Sequence, residues 1–488
     1  MPSPTHHTGV PGGAPSPFHE SAGHLSWGRV VRAPHRVARP SGRAEAAAAL
    51  AALPPGETLL ACGMGRSYGD SGLNPGHCLI DMRGVDRFIA FDPETGILEC
   101  EAGVTLAGIL RLLDRRNEPG RSWFLPVTPG TKFVTIGGAI ANDVHGKNHH
   151  GAGCFGNHVL SLELLRSDGT VRRCAPDENA DLFAATIGGL GLTGLILSAR
   201  LQLKPVPGPW LESEDIRYTD LNAFHDLAEE SVADWEYTVA WIDCLARGSQ
   251  LGRGIFTRSR HTADGPAGGS AQANGAAFEP RFSMPAELPS AALNHLSISA
   301  FNALYWRKAP PRPVRRVLPW DPVFYPLDAI GQWNRMYGRR GFYQYQCAIP
   351  KATARDAVRE LMRTIAAAGE ASFLAVLKTL GDRASPGMMS FPMPGATLAL
   401  DLPNNGPRTH DLLNRLERIT GEAGGRVYPA KDGAASPGAF RRGYPRLGEF
   451  ARHVDPRFSS GFWRRVDGGR VAGAGAAPGT GEDQGKSE

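Results

Sequence analysis

The sequence predicts an α+β fold in two parts: short strands and tight glycine turns first, then an antiparallel sheet with helices on one face. Three observations carry this reading. Between Leu59 and Leu203, short apolar runs are bounded by Gly, Asp and Pro, with few long helical periods. After about Pro209, strand-like runs alternate with amphipathic helical ones. At 488 residues the chain is too long for one ordinary core.

In chain order, TLLACG, HCLIDM, RFIAFD and GILECEAG read as strands by their apolar alternation. Thr105 is placed to cap a short helix, LAGILRLLDRR, with Leu106, Ile109, Leu110 and Leu113 on one face. VTIGGAIAND, VLSLELLRSDG and LTGLILSARLQL read as further strands and turns. In the second part DLNAFHDLAEESVA is a helix with Asp220 and Asn222 as caps, followed by the strand EYTVAWIDCL. YQYQCAIP is a strand, and KATARDAVRELMRTIAAAG is an amphipathic helix closed by Gly369. SFLAVLKTL and ATLALDL are strands, followed by the helix THDLLNRLERITGEAG and the short strand RVYPA. The expected organisation is a disordered tail (1–20), a first domain (21–209), a second domain (210–425), a segment returning to the first (426–468) and a second disordered tail (469–488). A low-complexity stretch at about 262–277 reads as a mobile loop. Both tails hold too little apolar surface to offset their ordering entropy.

Composition excludes several classes. Lys+Arg number 53 against 48 Asp+Glu, and a net charge of +5 is too slight for a nucleic-acid binder. Seven scattered cysteines without a Cys-x-x-Cys pair argue against a disulfide framework and a structural zinc site, and fit reduced thiols in the cytoplasm. No apolar run approaches the roughly eighteen residues of a membrane-spanning helix. The first residues lack the apolar stretch and twin arginine of a secretion signal. His145, His149, His150 and His158 have no carboxylate or Cys partner at ligand spacing, so no metal is expected.

Two segments carry chemistry: Gly63-Met64-Gly65-Arg66-Ser67-Tyr68-Gly69-Asp70, directly after a strand, and Pro129 to Asn148, which contains Gly130, Gly137, Gly138 and Gly146. Glycines let backbone N–H groups approach a diphosphate with no side chain in the way. Neither segment is followed by the G-K-[ST] of a P-loop, and neither is a helix-opening G-x-G-x-x-G. The remaining reading is a nucleotide cofactor held by two separated glycine turns.

Both segments resemble the FAD-binding domain of the vanillyl-alcohol oxidase (PCMH-type) flavoproteins. More narrowly, HGKNHHGAGCFGNHV, FYPLD with WNRMYG, QYQCAIP, FPMPG, YPAKD and GYPRLGEF resemble, in order, the actinobacterial decaprenylphosphoryl-ribose 2′-oxidase family, over roughly Leu25 to Val466. The resemblance implies a two-part PCMH-type FAD domain, with a substrate domain over the flavin ring. It places FAD contacts on Gly65, Arg66, Ser67, Tyr68, Gly69, Asp70 and Ser71, on Gly130, and on Thr135, Ile136, Gly137 and Gly138. Further contacts fall on His145, Gly146, Lys147, Asn148, Ile196 and Tyr428. Gly188, Gly189, Gly191 and Gly194 resemble the turn that passes the adenosine half. Relatives that bind FAD covalently use a His in the first glycine turn. Gly63 to Asn74 has none, which implies non-covalent FAD.

Oxidising an alcohol requires a base for the hydroxyl proton while hydride leaves the same carbon. The resemblance places Lys431 beside flavin and substrate, with His145 as a second candidate base and Tyr68 shaping the ring pocket. It assigns Trp241, Gln344, Gln346, Lys378 and Ala399 to the substrate pocket. Alternation in YQYQCAIP sends both glutamines to one sheet face. Two positions depart from the family: Ala399 replaces its pocket cysteine and Thr397 its pocket amide, which opens the choice of sugar. The implied reaction is oxidation of a sugar secondary hydroxyl to a ketone. The substrate is a sugar or polyprenyl-phosphate sugar, and a separate NAD(P)H reductase completes an epimerisation. The rival readings are an aldonolactone or alditol oxidase, an NADPH-dependent flavin reductase, and a non-catalytic flavin-binding partner protein. Leu293 to Arg316 mixes apolar residues with Arg307, Lys308, Arg312, Arg315 and Arg316. It reads equally as a peripheral contact with an anionic membrane or as a loop packed on the substrate domain.

Overall fold

The computed structural model describes residues 16–116, 122–265, 278–289, 292–370 and 372–467. Most of the expected N-terminal tail, most of the loop at 262–277 and the whole C-terminal tail lie outside these residues. The N-terminal tail ends earlier than expected, because His19–Ser21 is a strand paired antiparallel with His35–Ala38, and Phe18 beside it is buried.

Two small sheets form the first half. His19–Ser21, His35–Ala38, Cys78–Asp81 and Leu59–Cys62 make a mixed sheet in that order, the last three strands parallel. Phe88–Asp92, Ile97–Glu101, Leu195–Gln202, Val159–Leu165 and Val171–Cys174 make an antiparallel one. Leu59, Cys78 and Ile80 of the first share a buried cluster with Leu165, Leu195 and Leu197 of the second. Phe458 completes that cluster from far along the chain, bridging to Leu59.

Two segments differ from their expectations. Leu293 to Arg316, read as a surface contact or a loop, holds the helix His295–Lys308 and enters the strand Val314–Pro319. VTIGGAIAND, read as strand and turn, contains the helix Ile136–Ala141. Thr135 has extended backbone, and its hydroxyl accepts the Gly138 N–H at 3.2 Å, a helix N-cap. Ile136 and Ile140, four apart, are then both fully buried.

The second half is built on an eight-stranded antiparallel sheet. Its order is Val314–Pro319, Trp210–Tyr218, Gly254–Thr262, Tyr237–Ile242, Ala375–Leu380, Gly395–Pro403, Phe342–Pro350 and Arg426–Val427. Helices Leu221–Ser231, Lys351–Ala368 and Pro407–Glu422 pack through Phe224, Leu361, Ile365 and Leu416 onto Phe256, Leu377, Leu398 and Cys347. Because side chains alternate along a strand, the neighbours of those residues face the other way, and that face is free to form a site. Two of these strands, Trp210–Tyr218 and Gly254–Thr262, have little apolar alternation to announce them. Cross-strand charge pairs take its place: Glu214 opposite Arg258 (2.6 Å) and Glu212 opposite Arg260 (2.8 Å).

The chain closes by returning to its start. Arg465 donates to Asp70 at 3.0 and 2.8 Å, to Asp432 at 3.0 Å and to the Ala435 carbonyl at 2.6 Å. It thereby ties the first glycine turn to the turn that carries Lys431. Arg465→Ala would leave two largely buried carboxylates facing each other without a cation. We expect a loss of about 2–4 kcal/mol, read as a lower midpoint in urea unfolding, with Arg418→Ala on an exposed helix face as the near-silent control.

Candidate functional site

A cavity of about 630 Å³ lies between the two glycine turns and the sheet face opposite the three helices. The sheet supplies residues in steps of two: Ser213 and Asp215, Val239 and Trp241, Gln344 and Gln346, Val376 and Lys378, Thr397 and Ala399. The turns supply Gly63 to Gly69 and Thr128 to Thr131, and the C-terminal turn supplies Tyr428, Ala430 and Lys431.

The first glycine turn is shaped for an anion. The backbone N–H groups of Met64, Gly65, Arg66 and Ser67 have no protein acceptor among the described residues. Ser26 Oγ, Arg66 Nε and Ser71 Oγ are buried without partners, and all three residues line the cavity. Gly65 has φ of +63°, a conformation that glycine adopts without strain. A Cβ on Gly69 would fall 1.6 Å from the Asp432 carbonyl oxygen, so glycine is required for the turn to sit against its neighbour. The Arg66 guanidinium lies over Trp27, 4.0 Å from the ring centroid, which holds the cation in place. Unpaired donors around an open cradle fit the diphosphate of a dinucleotide.

The opposite wall is polar and cationic. Lys147, Lys378 and Lys431 all open on the cavity, and the carboxylates that share its lining are Asp215 and Asp328. Burial lowers the pKa of Lys378 to about 7, helped by the charges of Lys147 and Lys431. Burial likewise brings Lys431 to about 8, with Asp401 acting in the opposite direction, and Lys147 to about 8, with Asp215 opposing. Lys431 Nζ sits 3.9 Å from the centroid of the Tyr68 ring. His145 is held well below the usual imidazole range by burial and by the Lys378 charge. Its Nε2 lies 3.0 Å from the Gln346 amide nitrogen and its Nδ1 3.5 Å from Lys378 Nζ.

Behind this wall is Asp401, fully buried. The Gln344 amide donates to its Oδ1 at 2.5 Å, and Tyr337 OH donates to Oδ2 at 3.5 Å. Burial raises its pKa to about 7 against those hydrogen bonds and the Lys431 charge. Sequence reasoning did not name it as a site residue, although Thr397, Ala399 and Asp401 share one face of ATLALDLP and Asp401 pairs in register with Gln344. Asp215, which favours the Lys147 charge against burial, was missed because its strand was not read as one. Asp328 closes the FYPLD motif but was given no role there; its Oδ2 accepts the Lys132 N–H at 2.8 Å, at the floor of the second turn.

Most of the expected site residues meet here. Gly65, Arg66, Ser67, Tyr68, Gly69, Ser71, Gly130, Thr135, Gly137, Gly138, His145, Gly146 and Lys147 line the cavity. So do Ile196, Tyr428, Trp241, Gln344, Gln346, Lys378, Ala399 and Lys431. Three do not. Asp70 is turned to Arg465, Ile136 is in the core, and the Asn148 amide donates to the Pro126 carbonyl at 2.8 Å. Of the later glycines, Gly191 and Gly194 line the cavity, whereas Gly188 packs against Ser390 and Gly189 against the Ala185 carbonyl. The other three histidines are held apart by backbone groups: His149 by Gly381, His150 by Trp235 and His158 by Ala152.

Comparison with known proteins agrees with this geometry. A family model described as FAD binding domain matches residues 34–175. The decaprenylphosphoryl-beta-D-ribose oxidase of Mycolicibacterium smegmatis is 35% identical over 448 residues, 90% of this chain and 92% of that protein. An uncharacterized protein of Streptomyces coelicolor is 35% identical over 70% of this chain and 96% of its own length. Mouse L-gulonolactone oxidase is 32% identical over 145 residues, 29% of this chain and 31% of that enzyme.

The lysine cluster makes a prediction of its own. Lys431→Met removes one of the two charges that depress Lys378, so the Lys378 pKa rises from about 7. Acetylation of Lys378, followed across pH by mass spectrometry, is expected to shift its midpoint upward. An unmoved midpoint would show that the two amines do not share a field.

Proposed function

The chain belongs to the vanillyl-alcohol oxidase family of FAD-dependent oxidoreductases, and from that premise we propose that it oxidises a secondary hydroxyl of an anionic, lipid-linked sugar to a ketone. The observation that carries this reading is the set of three half-buried lysines on the pocket wall opposite the glycine turns. Desolvated cations that repel one another are costly to hold together unless a bound anion compensates them. A polyprenyl-phosphate ribose, or a close analogue, supplies that anion beside an oxidisable hydroxyl, and the Mycolicibacterium relative is named for such a substrate. The match to L-gulonolactone oxidase covers under a third of the chain, too little to carry that substrate over.

FAD would be held by the N–H groups of Met64 to Ser67, by Arg66 and Ser71, and by the small residues Gly191 and Gly194. It would be non-covalent, because no histidine lies in the first glycine turn. When bound, FAD supplies a hydride acceptor. The protein supplies the base and the positioning. Lys431 is neutral above about pH 8 and takes the hydroxyl proton at Nζ, with the Tyr68 ring beneath to fix its position. Lys378 and Lys147 hold the anionic group, whose negative charge raises their pKa values again and keeps them protonated. Gln344, anchored by Asp401, and Gln346, donating to Thr397 Oγ1 at 3.2 Å, orient sugar hydroxyls. Ala399 and Thr397 leave room that the family's cysteine and amide fill, which admits variation in the sugar. The ketone then passes to a separate NAD(P)H-dependent reductase, so that the pair performs an epimerisation.

The test is anaerobic mixing of the yellow protein with farnesyl-phosphoryl ribose, followed at about 450 nm. Bleaching is expected; an oxidised spectrum that persists would move the substrate elsewhere. Lys431→Ala should slow bleaching by roughly a hundredfold or more. In the wild type the rate should rise with pH and level off above about 8, as Lys431 loses its proton. A rate that is flat from pH 6 to 9 would instead point to His145, which burial and the Lys378 charge hold well below the usual imidazole range.

A further inference from the structure

The helix His295–Lys308 exposes several large apolar residues on its outward side. Leu296, Phe301, Leu304 and Tyr305 are 79%, 44%, 69% and 38% exposed, while Ile298 and the polar Asn302 are buried. Asn302 fastens the helix down, donating to Asp243 Oδ1 at 3.0 Å and to the Ser372 carbonyl at 3.3 Å. Leu296, Ala300 and Leu304 recur every four residues, with Phe301 and Tyr305 beside them, so the exposed groups form one stripe. Single exposed leucines need no explanation, but a contiguous stripe does.

The surroundings identify what meets it. Arg307 and Lys308 end the helix, and Arg312, Arg315 and Arg316 follow; all five are exposed. No acidic residue occurs between Glu287 and Asp321. Among the described residues, Arg307, Lys308, Arg312 and Arg316 form no ion pair, and Arg315 alone meets carboxylates, those of Glu212 and Glu214. The stripe also runs into the cavity. Phe301 stacks on Tyr305, with centroids 5.7 Å apart. Tyr305 lines the cavity edge-on to Trp241 at 4.8 Å.

We propose that this helix docks the enzyme on an anionic lipid surface, its apolar stripe in the headgroup boundary and its basic end against lipid phosphates. At 14 residues it is too short to span a bilayer and lies along the surface. A second copy of the chain is the poorer occupant, since a symmetric contact would bring together two patches that each hold five basic residues and no acidic one. The proposal deepens and rests on the reading of a lipid-linked substrate: the sugar phosphate would pass from the bilayer along Phe301 and Tyr305 into the cavity.

The test is sedimentation of the full-length, FAD-loaded protein with vesicles. Partition onto phosphatidylcholine vesicles containing phosphatidylglycerol should exceed that onto phosphatidylcholine alone by about tenfold or more and should collapse in high salt. L296S/L304S should lower partition to both vesicle types by about tenfold. R307S/K308S should abolish the preference for anionic vesicles. Both double variants should retain flavin and bleach with farnesyl-phosphoryl ribose in solution as the wild type does. The proposal is overturned by a wild type indifferent to lipid charge, or by double variants that bind vesicles as the wild type does. It is equally overturned if the leucine variant dissolves a self-association in sedimentation velocity while vesicle binding persists. A protein that bleaches with the soluble substrate yet ignores vesicles keeps the sugar-oxidase reading and loses this one. A protein that docks but never bleaches does the reverse.

Discussion

The site depends on one close approach between the beginning and the end of the chain. The turn at Tyr68–Asp70 lies against the turn at Ala430–Asp432, with the Tyr68 N–H donating to the Ala430 carbonyl at 2.9 Å. No side chain fits between them at Gly69. Arg465 then clamps the pair by holding Asp70 and Asp432 together. Through this contact Lys431 comes to rest over the Tyr68 ring, and a lysine more than three hundred residues away in sequence faces the cradle built by the first glycine turn. This contact acts with the Gln346–His145, Lys132–Asp328 and Tyr428–Asn142 hydrogen bonds to hold the cofactor half and the substrate half in register.

The second constraint is electrostatic. Three lysines share a desolvated wall with a neutral imidazole and, one layer behind, a carboxyl whose pKa burial has raised to about 7. Burial pushes the amines and the carboxyl in opposite directions, so their pKa values converge on the neutral range. Groups whose pKa values lie near the working pH exchange protons with little driving force in either direction, which suits acid–base chemistry. The glycine turns opposite work by the reverse logic: fixed N–H dipoles and the Arg66 cation wait for charge to be brought to them.

The eight-stranded sheet reconciles these demands with stability. One face carries the apolar cluster under three helices, and the other carries Trp241, Gln344, Gln346, Lys378 and Ala399. Because strand periodicity is two, the same strands serve the core and the pocket wall. A one-residue slip in the pairing of Phe342–Pro350 with Gly395–Pro403 would bury Gln346 in the core and place Cys347 in the pocket. The apolar core thus fixes the pocket's register.

Much of this was legible in the sequence because it is local. Alternation in YQYQCAIP marked both glutamines for one face, and the glycine density after TLLAC marked a cradle. Six short motifs in order pointed to a flavoprotein, and membership in that family is shown by the extent of the match to the Mycolicibacterium enzyme. Local signals misled where spacing has two meanings. The Gly-Gly of VTIGGAIAND suggested a turn, whereas the Thr135 cap and the Ile136–Ile140 pair make a helix. They were silent where partners are distant. Trp210–Tyr218 is held by charges on neighbouring strands, and Asp70, Ile136 and Asn148 sit in the motifs but turn away from the cavity toward Arg465, the core and Pro126.

By itself the sequence determined which groups can do the chemistry, because glycine, lysine and histidine carry their conformational freedom or their protons wherever they stand. Only the tertiary structure decided which of them act together. The lowered pKa of Lys378 comes from burial and from the charges of Lys147 and Lys431, far apart along the chain. The outward stripe of His295–Lys308 is set by Ile298 and Asn302, the residues held inside, with Asn302 fastened to Asp243. Desolvation and charge proximity are properties of assembled space, and no run of residues encodes them until the chain has closed.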